Sequence, residues 1–148
     1  MTVVFSKGFY QTVEKSDGAV LAAADDLFTI AGGPVLVTEF VGIVTTAIGG
    51  VANCQIKIVV TEPAGTVNLS TNVAIDSDAA GTSYTFTTAD PGVLTPTTAG
   101  ALLAVPRIAW LCPIGTINAT CSAARTGNIK WYIGYYMLSQ YSSVVAAA

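Results

Sequence analysis

From residue 27 onward the apolar and polar positions alternate with a period of two rather than 3.6, which is the pattern of half-buried strands. Leu27, Thr29 and Ala31 alternate with Phe28 and Ile30 until Gly32-Gly33-Pro34 breaks the run. Residues 34–48 are dense in β-branched side chains, whose stiff χ1 suits a pleated surface. Gly42, inside that run, predicts a bulge that bends so long a strand. Gly49-Gly50 supplies the positive φ values that a two-residue turn requires. The return strand then puts Cys54, Ile56, Ile58 and Val60 on one face and Asn53, Gln55 and Lys57 on the other. Residues 27–61 therefore predict a long β-hairpin on which the remaining strands pack.

Further along, residues 62–65 read as a turn and 66–76 as a strand with Val67, Leu69, Val73 and Ile75 on one side. Residues 76–81 form a polar loop and 83–88 a short strand. Pro91, Pro96 and two glycines make 89–100 a long loop. In the hydrophobic strand 101–112, Pro106 removes one ladder donor, which predicts an edge or a bulge. Residues 113–124 give a strand with Ile117, Ala119 and Cys121 inward, and 125–128 a turn. Residues 129–138 close the fold, with Ile129, Trp131, Ile133, Tyr135 and Met137 on one face and Lys130, Tyr132, Gly134 and Tyr136 on the other. The tail, 139–148, is frayed or docked elsewhere.

Residues 1–26 differ in character. Val3, Val4, Phe5, Phe9 and Tyr10 open a segment that, from 1 to 26, holds six of the fifteen charges. This predicts an extended arm whose aromatic residues dock on something; the plainer alternative is a first strand and a frayed loop. Eight or nine strands and no persuasive helix predict an all-β chain. Its architecture would be an antiparallel β-sandwich, a jelly roll or related Greek key, spanning 27–138 with the N-terminal arm ahead of it.

Composition adds a constraint on the surface. Hydrophobic residues make up 52% of the 148 and charged residues 10%, against about 25% charged in ordinary soluble domains. Either the chain sits in a membrane or much of its surface is covered by other chains. The most apolar windows, 34–48 and 99–112, are shorter than the ~20 residues of a spanning helix. The lumen of a porin-like barrel would need more polar alternate positions than these strands offer. Obligate oligomerisation is the preferred reading, ahead of a monomer that simply carries an apolar surface.

The net charge is −3 and the six basic residues are scattered, so no stripe exists to neutralise phosphates and nucleic acid is not an expected partner. The first residues lack the basic start and apolar run of a secretory signal, which predicts synthesis in a cytoplasm. Cys54, Cys112 and Cys121, odd in number and without close spacing, are expected as reduced core hydrophobes.

Candidate chemistry is sparse. The chain has no histidine, which removes Ser-His and Cys-His pairs and every His-ligated metal site. Asp76-Ser77-Asp78 could serve calcium only if Asp90 or backbone carbonyls joined it, and a solvated turn is the better expectation. Gly32-Gly33-Pro34 lacks the following Lys-Ser/Thr of a phosphate loop. Among Trp131, Tyr132, Tyr135 and Tyr136, strand alternation turns the first and third toward the core and the other two outward, which favours core plus interface over a sugar platform. No catalytic residue, cofactor or metal is expected, and the chain reads as a non-enzyme.

Three stretches carry a family likeness: LFTIAGGPVLVTEFVGIVTTAIG at 27–49, AGTSYTFTT at 80–88 and GTINATCSAARTGNIKWYIGYYML at 115–138. They resemble small virion structural proteins of tailed bacteriophages, in particular jelly-roll-type capsid decoration, or cement, proteins. The resemblance implies a homotrimer on the outside of a capsid that bridges major capsid protein subunits, so the partners would be itself and that protein, with no nucleic acid and no membrane. The candidate contact residues are Val3, Val4, Phe5, Phe9, Tyr10, Tyr132 and Tyr136. The alternative is a head- or tail-fibre module that binds a carbohydrate receptor.

Overall fold

The computed structural model describes residues 10–16, 20–21, 24–88, 92, 94–98, 100 and 107–148. The described chain is all strand and loop, and its strands form two antiparallel sheets packed face to face, as the alternation predicts. In chain order the strands are β1 (Tyr10–Ser16), β2 (Val20–Leu21), β3 (Ala24–Ala31), β4 (Val35–Gly49), β5 (Asn53–Val60), β6 (Gly65–Asn68) and β7 (Val73–Ala74). They continue as β8 (Ser83–Phe86), β9 (Leu94–Thr97), β10 (Trp110–Cys112), β11 (Gly115–Cys121), β12 (Arg125–Met137) and β13 (Ser143–Ala146). The first sheet runs β1-β12-β4-β8-β9, with β10 also on β4 and β2 on β12. The second runs β13-β3-β11-β5-β6, with β7 also on β5.

The strands expected in a hairpin over 27–61 exist, but they do not pair with one another. β3 and β5 belong to the second sheet and β4 to the first, so the chain crosses the sandwich at Gly32-Gly33-Pro34 and again at 50–52. Both edges of β4 are taken: β12 runs along one, and β10 and β8 share the other. The turn at Gly49-Gly50 is a corner between layers, with Gly50 at φ 92° and Ala52 1% exposed between the sheets. A period-two pattern reports which face is buried and not which strand lies alongside.

The bulge also moves. Gly42 pairs in register with Trp131, while the β4–β12 register shifts occur on either side of it. A methyl at 42 would stand 2.5 Å from Cζ3 of Trp131, so the glycine makes room for the indole. That ring reaches across the glycine and stacks on Tyr84 of the next strand, centroids 6.2 Å apart. Phe40 lies at the middle of the core, with Phe28, Phe86, Trp110 and Trp131 ring centroids 5.3–5.9 Å away. Edge-to-face and tilted aromatic packing of this kind adds about 0.5–1.5 kcal/mol per pair beyond area burial.

Other boundaries shift for local reasons. The expected turn at 125–128 is the start of β12, because β2 and the end of β4 extend the ladder to Arg125. The expected loop 89–100 contains β9, laid on β8. The strand expected over 66–76 is split into β6 and β7 around Leu69 and Ser70. The buried Ser70 hydroxyl accepts from Ile56 N at 2.8 Å there and takes the place of a ladder bond. Of the strand expected over 101–112, Trp110–Cys112 forms, residues 107–109 are irregular, and 101–106, Pro106 included, lie outside the described residues. The tail is docked: β13 pairs with β3, and the Ser142 hydroxyl donates to Pro34 O at 2.8 Å.

The cysteine expectation is overturned for two of the three. Cys54 and Cys121 are register partners on β5 and β11 and form a disulfide. They lie 67 residues apart in sequence, and the fold alone brings them together. Cys112 remains free and buried in the core, where desolvation pushes its thiol pKa up to about 12.

Candidate interface

β12 positions the site. Its inward side chains, Ile129, Trp131, Ile133 and Tyr135, are all buried, as alternation requires. Lys130, Tyr132, Gly134 and Tyr136 therefore point out of the sandwich. The flanking strands set what stands beside them. β1 places Tyr10 opposite Tyr136 and Glu14 opposite Tyr132. β4 places Leu36 opposite Tyr136, Val41 opposite Tyr132 and Ile43 opposite Lys130. β10 then places Leu111 opposite Leu36. The result is one apolar row across four strands, Tyr10–Tyr136–Leu36–Leu111, with a second row, Tyr132–Val41, behind it.

The charged side chains Glu14, Lys130, Glu39 and Arg107 on this face are matched within it. Glu14 Oε1 and Lys130 Nζ lie 3.0 Å apart, and the hydrogen bond to Glu14 raises the lysine pKa. The same Nζ stands 5.6 Å from the Tyr132 ring centroid, a cation–π distance. Glu39 accepts a hydrogen bond from the Tyr10 hydroxyl and lies 3.9 Å from Nε of Arg107. Desolvation, then the Glu39 hydrogen bond, push the Tyr10 phenol up to about 12. Gly134 makes this possible: a Cβ there would sit 2.5 Å from the Tyr10 hydroxyl. The Tyr10 and Tyr136 rings meet at 5.1 Å, tilted by 53°.

The outer face of the second sheet is different. Its central row reads Val145–Thr29–Thr116–Val59–Thr66, and the next places Asn118 between Asp26 and Lys57. Hydroxyls and amides there can face water without a partner.

The structure thus brings together three of the residues expected at an interface, Tyr10, Tyr132 and Tyr136, on one face. Val3, Val4, Phe5 and Phe9 lie outside the described residues. Of the arm expected over 1–26, Tyr10–Ser16 is the edge strand of the first sheet, Val20–Leu21 pairs with the start of β12, and residues 24–26 already belong to β3 of the second sheet. Sequence reading missed Leu36, Val41, Ile43 and Leu111 on this face, and Glu39 and Arg107 beside it. Strict alternation along β4 would put Leu36 on one side and Val41 and Ile43 on the other; the register shift between Gly134 and Tyr135, opposite Glu39 and Val37, brings the three to one face.

Elsewhere, a cleft of about 380 Å³ opens between β6 and residues 107–111, lined by Leu69, Trp110, Asn68, Thr88 and Arg107 among others; Arg107 is the ionisable side chain in its described lining. Asp78 accepts a hydrogen bond from the buried Tyr84 hydroxyl, and Asp76 is exposed. Asp90 lies outside the described residues. Among the described residues no three carboxylates or cysteines converge on a metal-sized site, and no helix is long and apolar enough to cross a membrane. Compared with protein-family models, curated proteins and solved structures, the chain matches none.

Proposed function

We propose that the chain is a non-enzymatic structural subunit that self-associates through the outer face of its first sheet. On the likeness to capsid decoration proteins, it would be a homotrimer that seats on a bacteriophage capsid and bridges major capsid protein subunits. The observation that carries this reading is the row Tyr10–Tyr136–Leu36–Leu111, in register across four strands. Interface cores are enriched in tyrosine and depleted in unpaired charge, and here Glu14, Lys130, Glu39 and Arg107 are already paired. Covering them strands no lone charge, which lowers the desolvation cost of association. Symmetry then multiplies modest contacts into a stable lattice.

The mass in solution, measured by light scattering alone and after co-sedimentation with capsid shells, tests the proposal. A trimer that converts to monomer in Tyr136→Glu, with the far-UV spectrum unchanged, is the expected result. A monomeric parent chain, or association indifferent to that substitution, overturns the self-association. A trimer that never co-sediments with shells overturns the capsid role.

A second reading rests on the same three tyrosines lying near the carboxylates of Glu14 and Glu39, since rings stack on pyranose faces and carboxylates accept sugar hydroxyls. Glycan-array binding lost in Tyr132→Ala or Tyr136→Ala would favour a carbohydrate-binding module of a head or tail fibre.

A further inference from the structure

The Cys54–Cys121 bond stands in a ladder that is complete without it. β11 pairs with β5 along all 7 of its residues with no shift in register, and the two cysteines are the last pair of that ladder. They lie at the end of the sandwich made by loops 50–52 and 122–124. Both belong to inward-facing rows, Cys54 with Ile56 and Ile58, and Cys121 with Ile117 and Ala119. The fold therefore sets the two sulfurs side by side whether or not they are bonded. Their surroundings differ: Cys54 is 6% exposed, whereas Cys121 is only partly buried.

The bond also fixes more than two residues. β7, only 2 residues long, rests on Asn53 and Cys54. Ile75 N donates to Ala52 O at 2.9 Å and Ser77 N to Gly50 O at 3.0 Å, so residues 73–77 hang on the start of β5. Across from them, Asn53 N donates to the Ser122 hydroxyl at 3.0 Å and Ser122 N to Asn53 O at 2.8 Å. Hydrogen bonds of this kind, at the frayed end of a sheet and open to water, resist local opening weakly. The covalent link is what keeps the ends of β5 and β11 from parting.

We infer that Cys54 and Cys121 form a redox latch, closed after folding by a small external disulfide and reopened by thiols, that sets the rigidity of this end of the sandwich. In closing, the accessible Cys121 thiolate attacks one sulfur of the external disulfide and expels its other half as a thiolate. The Cys54 thiolate then attacks the Cys121 sulfur of that mixed disulfide and expels the second half. Two electrons pass from the cysteines to the external disulfide, which leaves as two thiols carrying the two cysteine protons. A thiol reductant runs the same steps backward and is itself oxidised to a disulfide. Reducing surroundings hold the latch open and oxidising ones hold it shut. The latch is independent of the self-association proposed above, because it lies in the second sheet and that association uses the outer face of the first.

Glutathione exchange on the full-length chain tests it. The chain held reduced in dithiothreitol is expected to keep the far- and near-UV spectra of the oxidised form. Oxidised glutathione should then close the bond at least tenfold faster in buffer than in urea, and leave the buried Cys112 unmodified. In Cys54→Ser, Cys121 should hold one glutathione as a mixed disulfide; in Cys121→Ser, Cys54 should hold none. Amide exchange at 50–54, 73–77 and 121–125 should slow at least tenfold on oxidation, with 113–114 and 138–142 at the other end unchanged. A reduced chain without native spectra, equal closure rates in buffer and urea, or glutathione carried by Cys54 instead of Cys121 would overturn the inference. So would exchange that changes evenly across the sandwich or nowhere, or a Cys54→Ser/Cys121→Ser chain whose exchange still responds to glutathione.

Discussion

Gly42 stands opposite Trp131 in the β4–β12 ladder, and the indole occupies the space that any side chain at 42 would need. Through that gap Trp131 reaches Tyr84, so three strands are joined by one ring crossing a bare backbone. Replacing a strand glycine by alanine ordinarily gains stability, because glycine is the poorer strand former. Here the added methyl meets the ring of a core residue that is 3% exposed. Gly42→Ala is expected to destabilise the fold by about 1–3 kcal/mol, the usual cost of overpacking. A urea midpoint at or above that of the parent chain would refute this.

The Cys54–Cys121 bond closes a span of 67 residues. Loop-closure entropy for a span of that size corresponds to about 4 kcal/mol. Reduction, or Cys121→Ser, should lower the melting temperature sharply while leaving the near-UV spectrum of the aromatic core intact at room temperature. The free Cys112 thiol is buried, with its pKa near 12, so alkylating reagents should modify it only on unfolding. Rapid labelling of the native protein at neutral pH would contradict its placement.

Tyr10 links β1 to β4 through Glu39. Its phenol titrates at about 12 in the fold and near 10 in an unfolded chain. The neutral, donating form is therefore the one that folding favours. Its contribution is complete below pH ~10 and is lost as the pH rises toward 12. Tyr10→Phe should have a smaller decline in stability than the parent between those limits, measured by denaturant midpoints at successive pH values. Identical declines in the two proteins would show that the Tyr10–Glu39 contact does not form.

β13 forms a ladder with β3 through a short C-terminal stretch. Val144 is buried, and its N–H donates to the Tyr135 hydroxyl at 3.2 Å. Truncation after Tyr141 would expose the β3 edge and remove both the Val144 side chain and the Ser142 tether. Losing one buried valine costs about 1.5–3 kcal/mol, and each orphaned buried polar group about 1–3 more. The truncated chain should melt well below the parent and exchange the amides of β3 faster. A truncation with parental stability would mean that the C-terminal strand packs on nothing of consequence.

Strand identity was legible in the residues because burial on one face imposes a period of two wherever a strand has a wet side and a dry side. That periodicity established an all-β chain and the inward faces of β5, β11 and β12, and it turned Tyr132 and Tyr136 outward. Partnership between strands was decided only in the tertiary structure. β3, β4 and β5 follow one another as a hairpin would, yet the backbone groups of β4 are satisfied by β12, β8 and β10, all far along the chain. The same distance hid the disulfide, since the cysteines become neighbours only once β5 and β11 are in register. It also hid the row from Tyr10 to Leu111, whose members come from four strands. A side chain's face is a local property of φ and ψ, whereas its neighbour across a sheet depends on which distant segment fills the adjacent edge.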